Sequence, residues 1–295
     1  MNTFKCNKAF SLIELSIVIL IIGLLVAGVS KGSQIYNKIK LASARSLTNS
    51  SVVNSTKALE LWLETTSANS FLEVSPEDNE SINNWFDINP QSTFKNNAEA
   101  FNNSQNRRPP YVKNKINGLP VLKFDGIDDC MISSVDIRRL SIPNMTMFLV
   151  YERKLPIHNS NGGIIGNDPG WARFFIMNHS AIGGSIVSTG STPHRFDAMG
   201  TADRPQILTY ISRVGTTNGS SVAINRNLAS TTYTENISIT EQNLTSIGSH
   251  NSATCDKNDN VEIGEIIIFR RALQNGEVNS IEDYLSQKWG IKLVE

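Results

Sequence analysis

The sequence predicts a mainly β protein: a long N-terminal transmembrane and stalk α-helix, then an antiparallel β-sandwich of jelly-roll type with a short C-terminal helix. Three observations predict it. The stretch Phe10 to Val29, FSLIELSIVILIIGLLVAGV, is apolar for about 20 residues, enough to cross a bilayer at about 1.5 Å per residue. Beyond residue 58 the apolar period shortens to two, and Asn, Ser and Gly punctuate short runs rich in Val, Ile, Thr and aromatic residues. From Ala272 to Trp289 the spacing of Leu273, Val278, Ile281, Tyr284, Leu285 and Trp289 becomes helical again.

The N-terminal segment has three readings. A basic leader with Lys5 and Lys8, an apolar run and Ala27-Gly28-Val29-Ser30 describe a secretory signal cut near Ser30, or an uncleaved anchor. Glu14 argues against both. A carboxylate inside an apolar run costs about 2.5–3.5 kcal/mol on insertion scales, so it needs a purpose. The helix also has no stop after Ser30: no proline occurs between Lys31 and Lys57, and Ile35, Ile39, Ala42, Leu47 and Val53 recur at loosely helical spacing. The expected division is 1–9 leader, 10–57 membrane and stalk helix, and 58–295 globular domain.

KAFSLIELSIVILIIGLLVAG resembles the N-terminal signature of type IV prepilins and pseudopilins. The resemblance implies cleavage by prepilin peptidase between Ala9 and Phe10, with N-methylation of Phe10. Ala9 departs from the glycine that the family usually carries before the cut. Glu14 becomes the fifth residue of the mature chain, where it can pair with the amino terminus of a neighbouring subunit and set the register of a helical bundle. The implied partners are prepilin peptidase, other pilin-like subunits and the bacterial inner membrane. The implied location is a single pass with the C-terminal domain in the periplasm, then a surface pilus or a type II secretion pseudopilus.

Within the domain, Leu59, Leu61 and Leu63 alternate with Glu60, Trp62 and Glu64, which predicts a strand. Residues 65–106 predict long loops with short strands, and Trp85 a core anchor. Asn117-Gly118 and Asp125-Gly126 are turn signals around the strand Pro120–Phe124. Met145–Tyr151, Gly163–Gly166, Arg173–Ile176, Ile207–Ile211, Val222–Ile224, two short strands within Ile237–Ile247, and Val261–Arg270 follow as strands. Thr217-Asn218-Gly219 turns the hairpin between two of them. Asn275 is the expected N-cap of the last helix and Gly290 its stop.

LELWLE, NGLPVLKFDGIDDCM, TMFLVYERK and IGEIIIFRRALQNGEVNSIEDYLSQKWGI resemble a bacterial laminin-G-like, concanavalin A-like domain over residues 58–295. That resemblance implies two stacked antiparallel sheets. It implies no activity by itself, since the fold serves lectins, adhesion modules and glycoside hydrolases.

The chemistry is sparse. With 27 basic and 27 acidic side chains the chain is formally neutral and shows no nucleic-acid footprint, so no nucleic acid is expected as a partner. Hydrolysis of a glycan needs paired carboxylates. Glu262 and Glu265 are the nearest candidates, but strand alternation at that spacing sends them to opposite faces, so no enzymatic activity is expected. Asp125, Asp128 and Asp129 offer the oxygen ligands that calcium takes, and laminin-G-like domains often hold one; the alternative is that Asp125-Gly126 is only a turn pair. No other cofactor is expected. Of the three cysteines Cys6 belongs to the leader, which leaves Cys130 and Cys255 on the oxidising side as a disulfide or as two buried thiols. Asn167, Asp168, Trp171, Arg173, His194, Arg195 and Asp197 form a polar and aromatic loop set that could line a glycan or cell-surface ligand site. The large domain would crowd a repeated shaft, so a minor or tip subunit with a lectin-like adhesion role is expected. A structural pseudopilin and a secreted glycan-active enzyme are the alternatives.

Overall fold

The computed structural model describes residues 12–72, 74–137, 144–156, 162–167, 174–179, 184–189, 193–196, 203–228 and 244–295. The chain divides into two compact units, Met1–Ser43 and Ala44–Glu295. The first helix, α1, runs Leu12–Asn49, and a single 3₁₀ turn, Val52–Asn54, follows it. Along the first half of α1 Leu12, Leu20, Leu24 and Leu25 are open to the surroundings. Among the described residues these side chains belong to no buried core.

In the second unit the strands are β1 (Leu59–Glu64), β2 (Glu80–Ser81), β3 (Asn84–Trp85), β4 (Ala98–Ala100), β5 (Pro110–Val112), β6 (Val121–Asp125), β7 (Met131–Ser133) and β8 (Asn144–Arg153). They continue with β9 (Gly163–Asn167), β10 (Phe174–His179), β11 (Gly184–Thr189), β12 (Pro193–Phe196), β13 (Pro205–Arg213), β14 (Ser221–Ile224), β15 (Asn227–Leu228), β16 (Thr245–Ile247) and β17 (Asn260–Phe269). One sheet has the order β15-β14-β13-β8-β17-β6-β5-β2, with β1 also beside β17; the other runs β12-β11-β10-β9-β16-β7-β4-β3. The named pairings are antiparallel, as the turn-rich sequence requires.

Two apolar layers explain the strand sequences. Between the sheets lie Leu61, Leu63, Trp85, Leu122, Phe124, Met147, Leu149, Tyr151, Ile165, Ile247, Ile263, Ile266 and Ile268. The outer face of the larger sheet is also covered: Trp62, Phe148, Val150, Ile267 and Phe269 pack beneath the C-terminal helix α2 (Asn275–Trp289) with Ile281, Tyr284, Leu285 and Trp289. A strand buried on both faces reads as a continuous apolar run, which is why β8 and β17 show weak alternation. Trp85 is fully buried and its Nε1 donates to the Glu64 carbonyl, consistent with a core anchor.

One local expectation changes. Helix α2 is capped by Gln274, not Asn275: Gln274 and Glu277 form a reciprocal capping box, while Asn275 is already helical. Gly290 ends it in the left-handed region as expected, with φ 64°. The strand expected over Arg173–Ile176 is described as Phe174–His179, and Arg173 lies outside the described residues. Of the region 237–247 only Leu244 onward is described, with its strand at Thr245–Ile247.

Candidate functional site

Ala9 and Phe10 lie outside the described residues. Glu14 belongs to α1 by its backbone, and its side chain is likewise outside the description, as are those of 27–31. Among the described residues no helix is long and apolar enough to cross a membrane.

The turn after β6 gathers the three aspartates. One carboxylate oxygen from each of Asp125, Asp128 and Asp129 lies within 4.8 Å of the others. Asp125 does the turn's work as well: its Oδ1 accepts from the amides of Ile127 (2.8 Å) and Asp128 (3.2 Å), and Gly126 adopts φ 78°. Asp129 is nearly buried, and its Oδ2 accepts from the Asp125 amide. Burial, then the neighbouring Asp125 charge, push its carboxyl up to about 7. Three acids so crowded are under mutual repulsion that a divalent cation would relieve, so the donor set fits a hard ion. The turn role of Asp125 is compatible with that fit, because its second oxygen is left over.

Cys130 and Cys255 are joined by a disulfide, with Cα atoms 6.0 Å apart and a sequence separation of 125. The bridge fastens the segment before β17 to the aspartate turn. Arg107 reinforces it: Nη1 donates to the carbonyls of Cys255 (2.6 Å) and Asp128 (3.2 Å). From the same segment Asn258 Nδ2 donates to the Ile127 carbonyl at 2.7 Å.

The seven-residue loop set is divided. Asp168, Trp171, Arg173 and Asp197 lie outside the described residues. Asn167 ends β9, fully buried, and its Nδ2 donates to Asp136 Oδ1 at 2.8 Å. His194 and Arg195 lie on β12, paired with Val187 and Ile186 of β11. Strands β10 and β11 separate β9 from β12, so these residues sit about 14 Å apart across the sheet at roughly 4.8 Å per strand. Asn167 is thus a framework residue removed from His194 and Arg195. Its place in an apolar run, Gly163–Asn167, is the sequence signal for that role.

Glu262 and Glu265 also differ from expectation. The register of β17 shifts between Ile263 and Glu265, so Gly264 is an extra residue and both carboxylates emerge on the outer face of the sheet. A Cβ on Gly264 would meet the Trp289 ring at 2.5 Å, which fixes glycine there. The opposite-face objection therefore fails, but both acids are enclosed and engaged. Glu262 pairs with Lys115 at 3.1 Å and Lys154 at 3.7 Å. Glu265 accepts from Trp62 Nε1, Tyr284 Oη and Trp289 Nε1, each at 2.8 Å, and pairs with Lys288 at 2.9 Å.

Sequence reasoning missed that last constellation. Lys288 also reaches Glu64 Oε2 (3.0 Å) and Thr48 Oγ1 (2.8 Å), so it joins β1, β17, α2 and the last turn of α1. Burial lowers the ammonium pKa, but Glu265 and Glu64 outweigh that and hold it above the ordinary lysine value. The legible signal is Glu64 and Glu265, two acids that directly follow or precede apolar runs of their strands, Leu61–Leu63 and Ile266–Phe269.

Comparison with known proteins bears on the two ends of the chain differently. Residues 4–30 match the model for the prokaryotic N-terminal methylation motif.

The chain carries a prepilin-type N-terminus.

That motif implies processing by prepilin peptidase, membrane anchoring and assembly with other pilin-like subunits. It covers a short part of the chain, and no curated protein matches the sequence. The sandwich is similar to Trypanosoma rangeli sialidase in complex with sialic acid, with 14% identity over 79% of this chain and 33% of that one, TM-score 0.54. It is similar to the receptor binding domain of botulinum neurotoxin C/D mosaic serotype, with 13% identity over 80% of this chain and 55% of that one, TM-score 0.55. The chain thus spans about a third of the sialidase and about half of the toxin domain. At such identities the likeness establishes a β-sandwich of jelly-roll type and no more.

Proposed function

We propose that this chain is a type IV pilin-like subunit, of minor or tip type, that displays a laminin-G-like sandwich as a lectin-like binding domain. The observation that carries the reading is the methylation motif over residues 4–30, set on a helix, Leu12–Asn49, that precedes a β-sandwich in the chain. Prepilin peptidase would cut between Ala9 and Phe10 and methylate Phe10. Residues 10–57 would cross the bacterial inner membrane once and form the stalk, leaving 58–295 in the periplasm. Assembly then lifts the helix out of lipid into a filament, where Glu14 meets a neighbouring amino terminus.

Glycan or cell-surface recognition, with an adhesion role, is the task proposed for the domain. The likeness to a sialidase and to a toxin receptor binding domain supports a sandwich suited to that task. Calcium at Asp125, Asp128 and Asp129 belongs to this proposal; it would shape the turn beside the disulfide. Glu262 and Glu265, the nearest candidates for a hydrolytic pair, are taken up in ion pairs with Lys115 and Lys288, which favours binding without turnover.

Intact-mass analysis of the membrane-extracted protein tests the processing step. A chain starting at N-methylated Phe10 is expected, and one starting near Lys31 would end the pilin reading. A glycan array on the purified full chain, with a polysaccharide turnover assay beside it, tests the domain's task.

A further inference from the structure

The charges of this neutral chain are unevenly placed. Between Glu14 and Glu60 the only charged residues are Lys31, Lys38, Lys40, Arg45 and Lys57, so the balancing acids lie further on. Arg45 is engaged, its Nε donating to the Thr66 carbonyl at 2.7 Å. Lys38 is exposed beside a set of exposed apolar side chains: Ile35, Tyr36 and Ile39 are 57%, 59% and 62% exposed. Spaced three and four apart, they share one face of α1, and the Lys40 ammonium lies over the Tyr36 ring at 5.3 Å.

The domain carries a counterpart. Residues Leu72 to Glu80, LEVSPEDNE, hold Glu73, Glu77, Asp78 and Glu80 with Leu72 and Val74 among them. Leu72 and Val74 are 71% and 68% exposed, and Leu72 adopts the left-handed backbone region, at φ 56°. With Phe71, Pro76, Ile82 and Phe86 they line a surface groove at the edge of the sandwich. The Glu77 side chain is 88% exposed and meets Lys113, while Arg45 Nη2 donates to Ser75 Oγ within the same segment.

We propose that this groove receives the stalk of a second copy of the chain, Ile35, Tyr36 and Ile39 against the apolar lining and Lys38 and Lys40 against Glu77 and Glu80. Charge complementarity and matching apolar content select this occupant. Anionic lipid is the rival, and distance disfavours it. Lys38 and Lys40 stand about 13–16 Å beyond Val29 by helical rise, whereas the headgroup zone is about 5–8 Å deep and screening decays over about 8 Å. The proposal rests on the pilin-like reading, since it needs stalks and domains side by side.

The test uses the full chain reconstituted in phosphatidylcholine vesicles and in vesicles with added phosphatidylglycerol, carrying Tyr36→p-benzoylphenylalanine. Irradiation is expected to give a dimer cross-linked from the stalk to residues 71–86, equally in both lipids. Lys38→Glu with Lys40→Glu should cut that product about tenfold, and adding Glu77→Lys with Glu80→Lys should restore it. Cross-links to lipid, to another stalk or elsewhere on the domain would overturn the proposal, as would a charge swap that restores nothing. The N-terminal mass of the same preparation reports separately on the pilin reading.

Discussion

Lys288 Nζ lies 2.9 Å from Glu265 Oε2, and both side chains are wholly closed to solvent. Glu64 completes the cluster at 3.0 Å, and three N–H or O–H donors hold Glu265 besides the ammonium. Such a cluster adds little net stability over apolar packing, but removing its one cation strands two buried carboxylates. Lys288→Met is therefore expected to destabilise the domain by about 3–5 kcal/mol. Denaturant titration of the full chain in detergent checks this. A triple change that also replaces Glu64 and Glu265 by Gln should recover part of the loss.

Asp259 offers a pH dependence. Its side chain is buried, and burial raises its pKa from 3.8 to about 6, with Arg153 at 3.5 Å pulling the other way. A raised carboxylate favours the folded state while protonated. Its stabilising contribution is complete below the unfolded value near 4 and is lost as pH rises through about 6. The change should amount to about 3 kcal/mol at 1.36 kcal/mol per unit. Comparing wild type with Asp259→Asn across pH 4 to 7 isolates it, because the variant should lose this part of the slope.

Asp128, like Asp125, is half-buried in the aspartate turn. If the trio takes calcium, Asp128→Asn should weaken binding about tenfold or more, as removal of one charged oxygen ligand would. Calorimetric titration with calcium measures it. Equal affinity of the two proteins would exclude the turn as the binding place.

Glu14→Ala should leave membrane insertion intact, since an apolar residue replaces a costly one. Incorporation into filaments should fall, measured by the fraction of chain recovered with sheared filaments. Unchanged incorporation would refute the pairing assigned to Glu14.

The parts of the fold legible in the sequence are those where one physical cause dominates. Apolar length announced α1, turn pairs such as Asn117-Gly118 marked strand ends, and Met145–Tyr151 could only be a buried strand. The Gly264 bulge was not legible, because period-2 counting through Glu262 and Glu265 assumes an unbroken ladder. Asn275 has the stronger intrinsic N-cap preference, yet Glu277 can complete a capping box only with Gln274. The loop set containing Asn167 and His194 relied on residue type alone. Sequence gives no lateral distance between strands, and Asn167 proved to be internal framing.

The last long strand, β17, stands in the middle of its sheet, between β8 on one side and β6 and β1 on the other. Most of the polypeptide must therefore be available before its central ladder can zip. Contacts of such sequence separation form slowly. A domain wired in this way closes around its C-terminal strand, so the middle of the larger sheet is completed by the end of the chain rather than by its beginning.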